Sequence, residues 1–368
     1  MSPSPSATSS GWSRPATDPA RGAGRLRQTG RPVSPSRTDT ARQGHSTARQ
    51  GHGTARTQHP QDTDSMEGTQ MPDTTVAFIG LGTMGRPMAG RLLAVGYRLT
   101  VHDLLPEAVD ALAAAGAGTA RSARSAATGA DVVITMLPNG PHVRAALSGP
   151  DGALAAMRPG GVLVDMSTID PPTSRELAEL AGRHGVRMLD APVSGSSAGA
   201  ADGSLTVMVG GDAATLAELR PLLGELGRTI VHCGGNGAGV SVKLANQIIA
   251  GTSMAAVAES YALARSLGVD PRLLFEVVSA GSGDCWALRT RPPVAGVLAT
   301  SPAENDFRPG FKGILMCKDL DLALATAAAH AVDLPVTHRA RELYARMSEE
   351  GLGERDFSAV FALLTKEE

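Results

Sequence analysis

The chain has little that would tie it to a membrane, a metal or a polyanion. Only three cysteines, Cys233, Cys285 and Cys317, occur in 368 residues. They are odd in number and far apart, which excludes a disulfide framework or a zinc site and points to a reducing compartment, with the cytoplasm as the expected location. Aromatic residues are scarce, at 3 %. With the abundance of Ala, Gly, Arg and Pro, this reads as the codon bias of a GC-rich genome and not as a functional signal. The formal net charge of −2 is too small for any general attraction to nucleic acid or anionic lipid, so neither is an expected partner. No apolar run reaches the length of about 18 residues that a membrane-spanning helix needs. His330 and His338 have no second histidine at ligand spacing, so no metal site is expected.

What is present is 42 % hydrophobic residues, enough to build real cores, on a chain long enough for two domains. Composition changes abruptly near Met71. The preceding segment, 1–71, is rich in Ser, Thr, Pro, Arg, Gln and Gly, holds one aromatic, Trp12, and repeats T-A-R-Q-G-H from Thr40 and again from Thr47. Such a stretch cannot bury enough apolar surface to offset its ordering entropy, and disorder is the expectation. Three origins fit it. An organellar transit peptide and a basic arm are two of them. The third, favoured by the missing amphipathic repeat and the immediate start of the fold, is a start codon assigned upstream of the true one at Met66 or Met71.

From Thr74 short apolar runs alternate with helical stretches. Strands are predicted at Val76–Ile79, Arg98–His102, Val132–Met136, Val162–Asp165, Arg187–Leu189, Thr206–Val209 and Thr229–His232. Helices are predicted at Met84–Val95, Glu107–Ala115, Pro171–His184 and Ala213–Leu226. This alternation implies right-handed crossovers and a largely parallel sheet: an α/β, Rossmann-type, doubly wound domain. Further on, helices are predicted at Ala245–Leu267, long enough to link two domains, and at Pro271–Ala280, Phe311–His330 and Pro335–Glu350.

The first strand runs into G-L-G-T-M-G, that is Gly80, Leu81, Gly82, Thr83, Met84 and Gly85. A G-x-G-x-x-G is weak evidence alone, but this one follows a strand and opens a helix. The first glycine would make the tight turn, the second admit a pyrophosphate to the backbone, and the third let helix and strand pack closely. The helix start would offer free N–H groups and a positive dipole end to the anion. About 20 residues on, at the end of the second strand, stands the acidic residue that the fingerprint requires, Asp103. Its carboxylate can accept from both ribose hydroxyls and would repel a 2′-phosphate. Leu104, Leu105 and Pro106 add no positive charge, so NAD is expected over NADP. Asp103 can also cap the helix that begins near Pro106, and the two roles are compatible.

Five further stretches carry an identification: T-M-L-P-N from Thr135, V-D-M-S-T-I-D-P from Val164, D-A-P-V-S-G-S from Asp190, G-N-G-A-G-V-S-V-K-L-A-N-Q from Gly235, and G-F-K-G-I-L-M-C-K-D-L-D-L-A from Gly310. In this order and spacing, with G-L-G-T-M-G before them, the chain over 73–368 resembles the β-hydroxyacid dehydrogenase family. That family includes 3-hydroxyisobutyrate dehydrogenases, tartronate semialdehyde reductases, glyoxylate/succinic semialdehyde reductases and, more distantly, 6-phosphogluconate dehydrogenases. The resemblance implies an NAD(P)-binding domain over 72–236, a long connecting helix, and an all-helical substrate and dimerisation domain over 237–368. It further implies a homodimer or homotetramer acting on a small hydroxy acid or its semialdehyde.

By the same resemblance Lys243 is the catalytic lysine, and the chemistry is reasonable on its own. Oxidation of an alcohol needs a proton acceptor at the hydroxyl, and an amine whose pKa is lowered by burial and a nearby cation can serve. Asn246 and Gln247 lie at i+3 and i+4 from it, near its face, and either amide can reach the reacting oxygen. The family's usual pattern has asparagine at i+4; the inverted order here also occurs in the semialdehyde reductase branch. Ser194, Gly195 and Ser196 match the loop that holds the substrate carboxylate. Ser196 again follows the semialdehyde reductase branch, whereas the Asn-Arg that branch carries after the second strand is missing. Lys318 matches a second active-site lysine, near substrate and nicotinamide, with Phe311 beside the cofactor. Leu137, Pro138 and Thr168 match positions along the cofactor. Two rivals keep the fold: an NADPH-dependent imine reductase, whose relatives usually replace this lysine by Asp or Tyr, and a non-catalytic dinucleotide-binding or chromatin-associated module, whose relatives commonly lose it.

Overall fold

The computed structural model describes residues 74–365. The segment 1–71, for which disorder is expected, lies outside the described residues. Among the described residues nine strands form one sheet: β1 (Thr75–Ile79), β2 (Arg98–His102), β3 (Gly118–Thr119), β4 (Val132–Thr135), β5 (Val162–Asp165), β6 (Arg187–Asp190), β7 (Val193–Ser194), β8 (Thr206–Gly210) and β9 (Thr229–Gly234). The order is β3-β2-β1-β4-β5-β6-β8-β7, with β9 beside β8. Pairing is parallel from β3 through β6. β8 then runs antiparallel to β6 and β7 and parallel to β9.

Alternation along the central strands explains why helices cover both faces. Val76, Phe78, Val132, Ile134, Val162 and Val164 point into one core, where Met88, Leu92, Leu219 and Leu223 of the helices Gly85–Ala94 and Ala213–Leu226 meet them. Ala77, Ile79, Val133 and Leu163 point into the other, against Val143, Leu147, Leu177 and Ala181 of the helices Gly140–Leu147 and Pro171–Arg183. A sheet buried on both sides needs the near-continuous apolar strands seen here. Chain order reverses between β1 and β4, so the carboxyl ends of these two strands splay their following loops apart and open a crevice, the usual ligand position in such sheets.

The long helix Ala238–Ser266 is 29 residues, about 44 Å. It starts seven residues before the predicted Ala245, because Gly235, Gly237 and Gly239 read locally as a loop. Gly237 supplies the left-handed start, at φ +87°. The first turns of the helix lie against the sheet, where Val240 joins the second core. Its later turns, with Met254, Ala258 and Tyr261, form a third core with Met316 and Leu320 of the helix Gly313–Ala329, Tyr344 and Met347 of the helix Pro335–Glu349, and Phe357 and Val360 beyond. The crossing is close at Gly251, where any side chain would meet the Met316 sulfur at 2.9 Å, and the Gly251 carbonyl accepts from the buried Tyr344 hydroxyl at 3.0 Å. No helix among the described residues is long and apolar enough to cross a membrane.

Candidate active site

The parallel sheet brings distant motifs to one edge. The glycine turn follows β1, Asp103 follows β2, Leu137 and Pro138 follow β4, Thr168 follows β5, and Ser194 ends β7. Gly80 has φ +98°, and a side chain there would collide with the Met136 carbonyl. At Gly85 it would collide with the Gly80 carbonyl oxygen. At Gly82 it would touch nothing within 4 Å. Packing therefore requires the first and third glycines, while the second faces open space. The helix Gly85–Ala94 has neither a side-chain cap nor an acidic residue in its first turn. By contrast, Asn139, Asp170 and Asp212 cap their helices. The Asp103 carboxylate braces the turn, accepting from Leu81 N at 2.6 Å and Leu105 N at 2.9 Å.

Below this edge, where the sheet meets the helical domain, is a cavity of about 480 Å³. Met84, Thr168, Ser194, Gly195, Ser196, Lys243, Asn246, Gln247 and Phe311 all reach its wall, so residues from both predicted site groups converge there. Ser196, predicted to lie in a loop, instead opens the short helix Ser196–Asp202, entered through Gly195 at φ +141° and Ser196 at φ +65°. Alternating small residues carry no period that distinguishes such a helix from a turn.

Lys243 is 5 % exposed. Its ammonium donates to Gln247 Oε1 at 2.8 Å, and Gln247 Nε2 donates to Asp319 Oδ2 at 2.7 Å. The reverse amide orientation would turn an amide NH₂ to the ammonium and an oxygen to the carboxylate, so its two charged neighbours fix the glutamine. Asn246 Nδ2 also donates to Gln247 Oε1, at 3.0 Å. Burial lowers the Lys243 pKa to about 8; the nearby Lys318 pushes in the same direction, against Asp319, which opposes it.

Lys318 is not on the cavity wall. Its ammonium donates to the Pro138 and Thr168 carbonyls at 3.0 and 2.9 Å and pairs with Asp319 Oδ1 at 2.9 Å. It ties the helical domain to the loops after β4 and β5. Asp319 was legible only as the neighbour of Lys318; its contact with Gln247 depends on how two helices cross. Asp190 is a second residue whose part was not legible. Its buried carboxylate accepts from Gly237 N at 2.7 Å and Val240 N at 3.0 Å, which anchors the start of the long helix and so the register of Lys243. Its strand partner Asp165 is fully buried, and desolvation, with a smaller push from Asp190, raises it to about 6.

A dinucleotide-type sheet joined by one long helix to a helical domain, with a buried lysine where the two meet, defines a nicotinamide-dependent dehydrogenase. Comparison with known proteins narrows the class. Residues 75–235 match the family described as the NAD binding domain of 6-phosphogluconate dehydrogenase. Residues 237–364 match the one described as NAD-binding of NADP-dependent 3-hydroxyisobutyrate dehydrogenase. An NAD-dependent L-serine dehydrogenase of Pseudomonas aeruginosa is 47 % identical over 285 residues, 77 % of this chain and 96 % of that protein. A 3-hydroxyisobutyrate dehydrogenase of the same organism is 45 % identical over 292 residues, 78 % and 97 % of the two chains. Among solved structures, the Mycobacterium tuberculosis 3-hydroxyisobutyrate dehydrogenase with L-serine matches with a TM-score of 0.74 at 44 % identity, covering 80 % of this chain and 99 % of that one. The chain belongs to the 3-hydroxyisobutyrate dehydrogenase family of NAD(P)-dependent oxidoreductases.

Proposed function

We propose that the chain catalyses the reversible NAD-linked oxidation of a small 3-hydroxy acid to its semialdehyde, with Lys243 as the general acid/base. The observation that carries this reading is the meeting of Lys243, Asn246 and Ser194–Ser196 on one cavity wall with Met84, the end of the glycine turn. Relatives named for 3-hydroxyisobutyrate and L-serine support the substrate class, since both compounds are 3-hydroxy acids with a small substituent at C2.

The residues present fit a dinucleotide. The open side of Gly82 and the uncapped helix start suit a pyrophosphate, held by Gly80, Leu81, Gly82, Thr83, Met84 and Gly85. Each Asp103 oxygen accepts one backbone N–H and keeps a lone pair for a ribose hydroxyl. Its negative charge supports NAD over NADP. Leu137, Pro138, Thr168 and Phe311 would border the rest of the cofactor. When bound, nicotinamide supplies the hydride acceptor for the alcohol carbon, or the donor for the aldehyde.

The chain's own part is proton transfer and positioning. In oxidation the neutral Lys243 amine takes the hydroxyl proton; in reduction its ammonium returns one to the carbonyl oxygen. Gln247 has both ends of its amide engaged and orients Lys243, whereas Asn246 gives one N–H to Gln247 and keeps the other for the reacting oxygen. Ser194, Gly195 and Ser196 bind the carboxylate. Lys318 acts as a positioning residue, drawing together the loops that border the cofactor.

We further place the functional boundary between 236 and 237, where the two family matches divide. Three free thiols support a reducing, cytoplasmic setting. A homodimer or homotetramer would cover the helix Pro271–Ala280, none of whose residues is buried.

The test is NAD⁺ reduction by the purified protein with 3-hydroxyisobutyrate, 3-hydroxypropionate, D-glycerate, 4-hydroxybutyrate and L-serine, repeated with NADP⁺. Turnover of at least one 3-hydroxy acid, with higher kcat/KM for NAD⁺, is expected. Silence across the set with both cofactors would overturn the reading.

A further inference from the structure

One wall of the cavity carries a charge that the proton-transfer chemistry does not use. Arg291 follows the short helix Trp286–Thr290, is 6 % exposed, and lines the cavity together with Trp286 and Phe357. Its guanidinium carbon lies 5.4 Å from the Trp286 ring centre and 5.5 Å from that of Phe357. Nη1 donates to Asp356 Oδ2 at 2.6 Å, whereas the buried Nε has no partner.

The counter-ion is shared with backbone and hydroxyl donors. The same Asp356 oxygen accepts from Gly310 N at 3.0 Å and Phe311 N at 3.1 Å. Its other oxygen accepts from Ser358 N at 3.2 Å and Ser358 Oγ at 2.8 Å. Asp356 is fully buried and lies behind the wall, so the arginine is the member of the pair that meets the cavity. Among the described residues no aspartate or glutamate lines the cavity, and the cationic side chains that do are Lys243 and Arg291. A cation on a poorly hydrated wall attracts acceptor oxygens and repels a positive substituent more strongly than it would in water.

We propose that Arg291 is a specificity-determining residue. It selects 3-hydroxy acids whose C2 substituent is an acceptor oxygen, as in a 2,3-dihydroxy acid of the glycerate type, and disfavours those with an ammonium there, as in serine. This rests on the cavity being the substrate site proposed above. An ammonium at C2 would meet Lys243 and the cationic member of the Arg291–Asp356 pair, with no carboxylate among the described lining residues to receive it. A hydroxyl at C2 would offer an acceptor oxygen to the guanidinium where it meets the cavity.

The experiment compares kcat/KM with NAD⁺ for both enantiomers of glycerate and of serine, in the purified full chain and in Arg291→Met and Arg291→Lys. The better glycerate enantiomer should exceed the better serine enantiomer by about tenfold or more, the scale of one charged or hydrogen-bonded contact. Arg291→Met should shrink that ratio by about tenfold. Arg291→Lys, which keeps a cation opposite Asp356, should retain discrimination against serine. A serine kcat/KM equal to or above that of glycerate in the unmodified chain overturns the proposal, whether or not Arg291→Met folds. So does an unchanged ratio in a folded Arg291→Met. Absence of turnover with any 3-hydroxy acid is a different result: it removes the underlying reading, and the proposal with it.

Discussion

Lys243 has to be an amine at one point of the cycle and an ammonium at another, and its surroundings serve both states. Gln247 gives the ammonium an acceptor, while burial and the neighbouring Lys318 lower its pKa from 10.5 to about 8. The sign follows directly. Oxidation needs the free amine, so kcat/KM for the hydroxy acid should rise with pH and level off above about 8; reduction needs the ammonium and should fall through the same range. Lys243→Ala should lower kcat by about 10²–10⁴-fold and abolish this titration, with cofactor binding retained. A surviving rate with the same pH profile would remove Lys243 from proton transfer. The residue itself was legible from its place in V-K-L-A-N-Q. The division of labour between Asn246 and Gln247 was not, because both lie near the face of Lys243 and only Asp319 on another helix engages one of them.

Among the elements, the turn between β1 and its helix separates structural from ligand-directed glycines. A methyl group at Gly85 would strike the Gly80 carbonyl and approach the Phe78 ring at 3.2 Å, whereas one at Gly82 meets open space. Gly85→Ala should therefore destabilise the fold by about 1–3 kcal/mol in denaturant unfolding, the usual scale of overpacking. Gly82→Ala should unfold at an unchanged denaturant midpoint yet bind NADH at least several-fold more weakly by calorimetric titration. Equal stability losses in both variants, with NADH affinity intact, would contradict the assignment of the turn. The strands and longer helices around this turn were legible because each repeats its own period. β3, β7 and the helices Ala123–Ala127, Gly140–Leu147 and Ser196–Asp202 were missed: they are too short, or too rich in alanine and glycine, to establish one.

At the scale of the whole molecule, the helical domain leaves apolar surface uncovered. Leu273 and Val277, one turn apart on the helix Pro271–Ala280, are 54 % and 60 % exposed, and Leu263 and Leu267 on the long helix are 61 % and 69 % exposed. Exposed apolar side chains of this kind are what the homodimer or homotetramer proposed above would cover. Light scattering should give the mass of a dimer or tetramer, and Leu273→Glu with Val277→Glu should shift it toward the monomer. A monomer before substitution would refute the assembly. The sequence by itself determined the strand and helix alternation, the glycine turn with Asp103, and Lys243 as the candidate base, because each depends on local periodicity, local backbone or a contiguous motif. Only the tertiary structure decided which side chains meet. Gln247 finds Asp319 across 72 residues, and Lys318 finds the Thr168 and Pro138 carbonyls across 150 and 180. Arg291 reaches the cavity with its counter-ion behind it. Those contacts depend on how helices cross and on which loops share a sheet edge, and no local period in the chain encodes either.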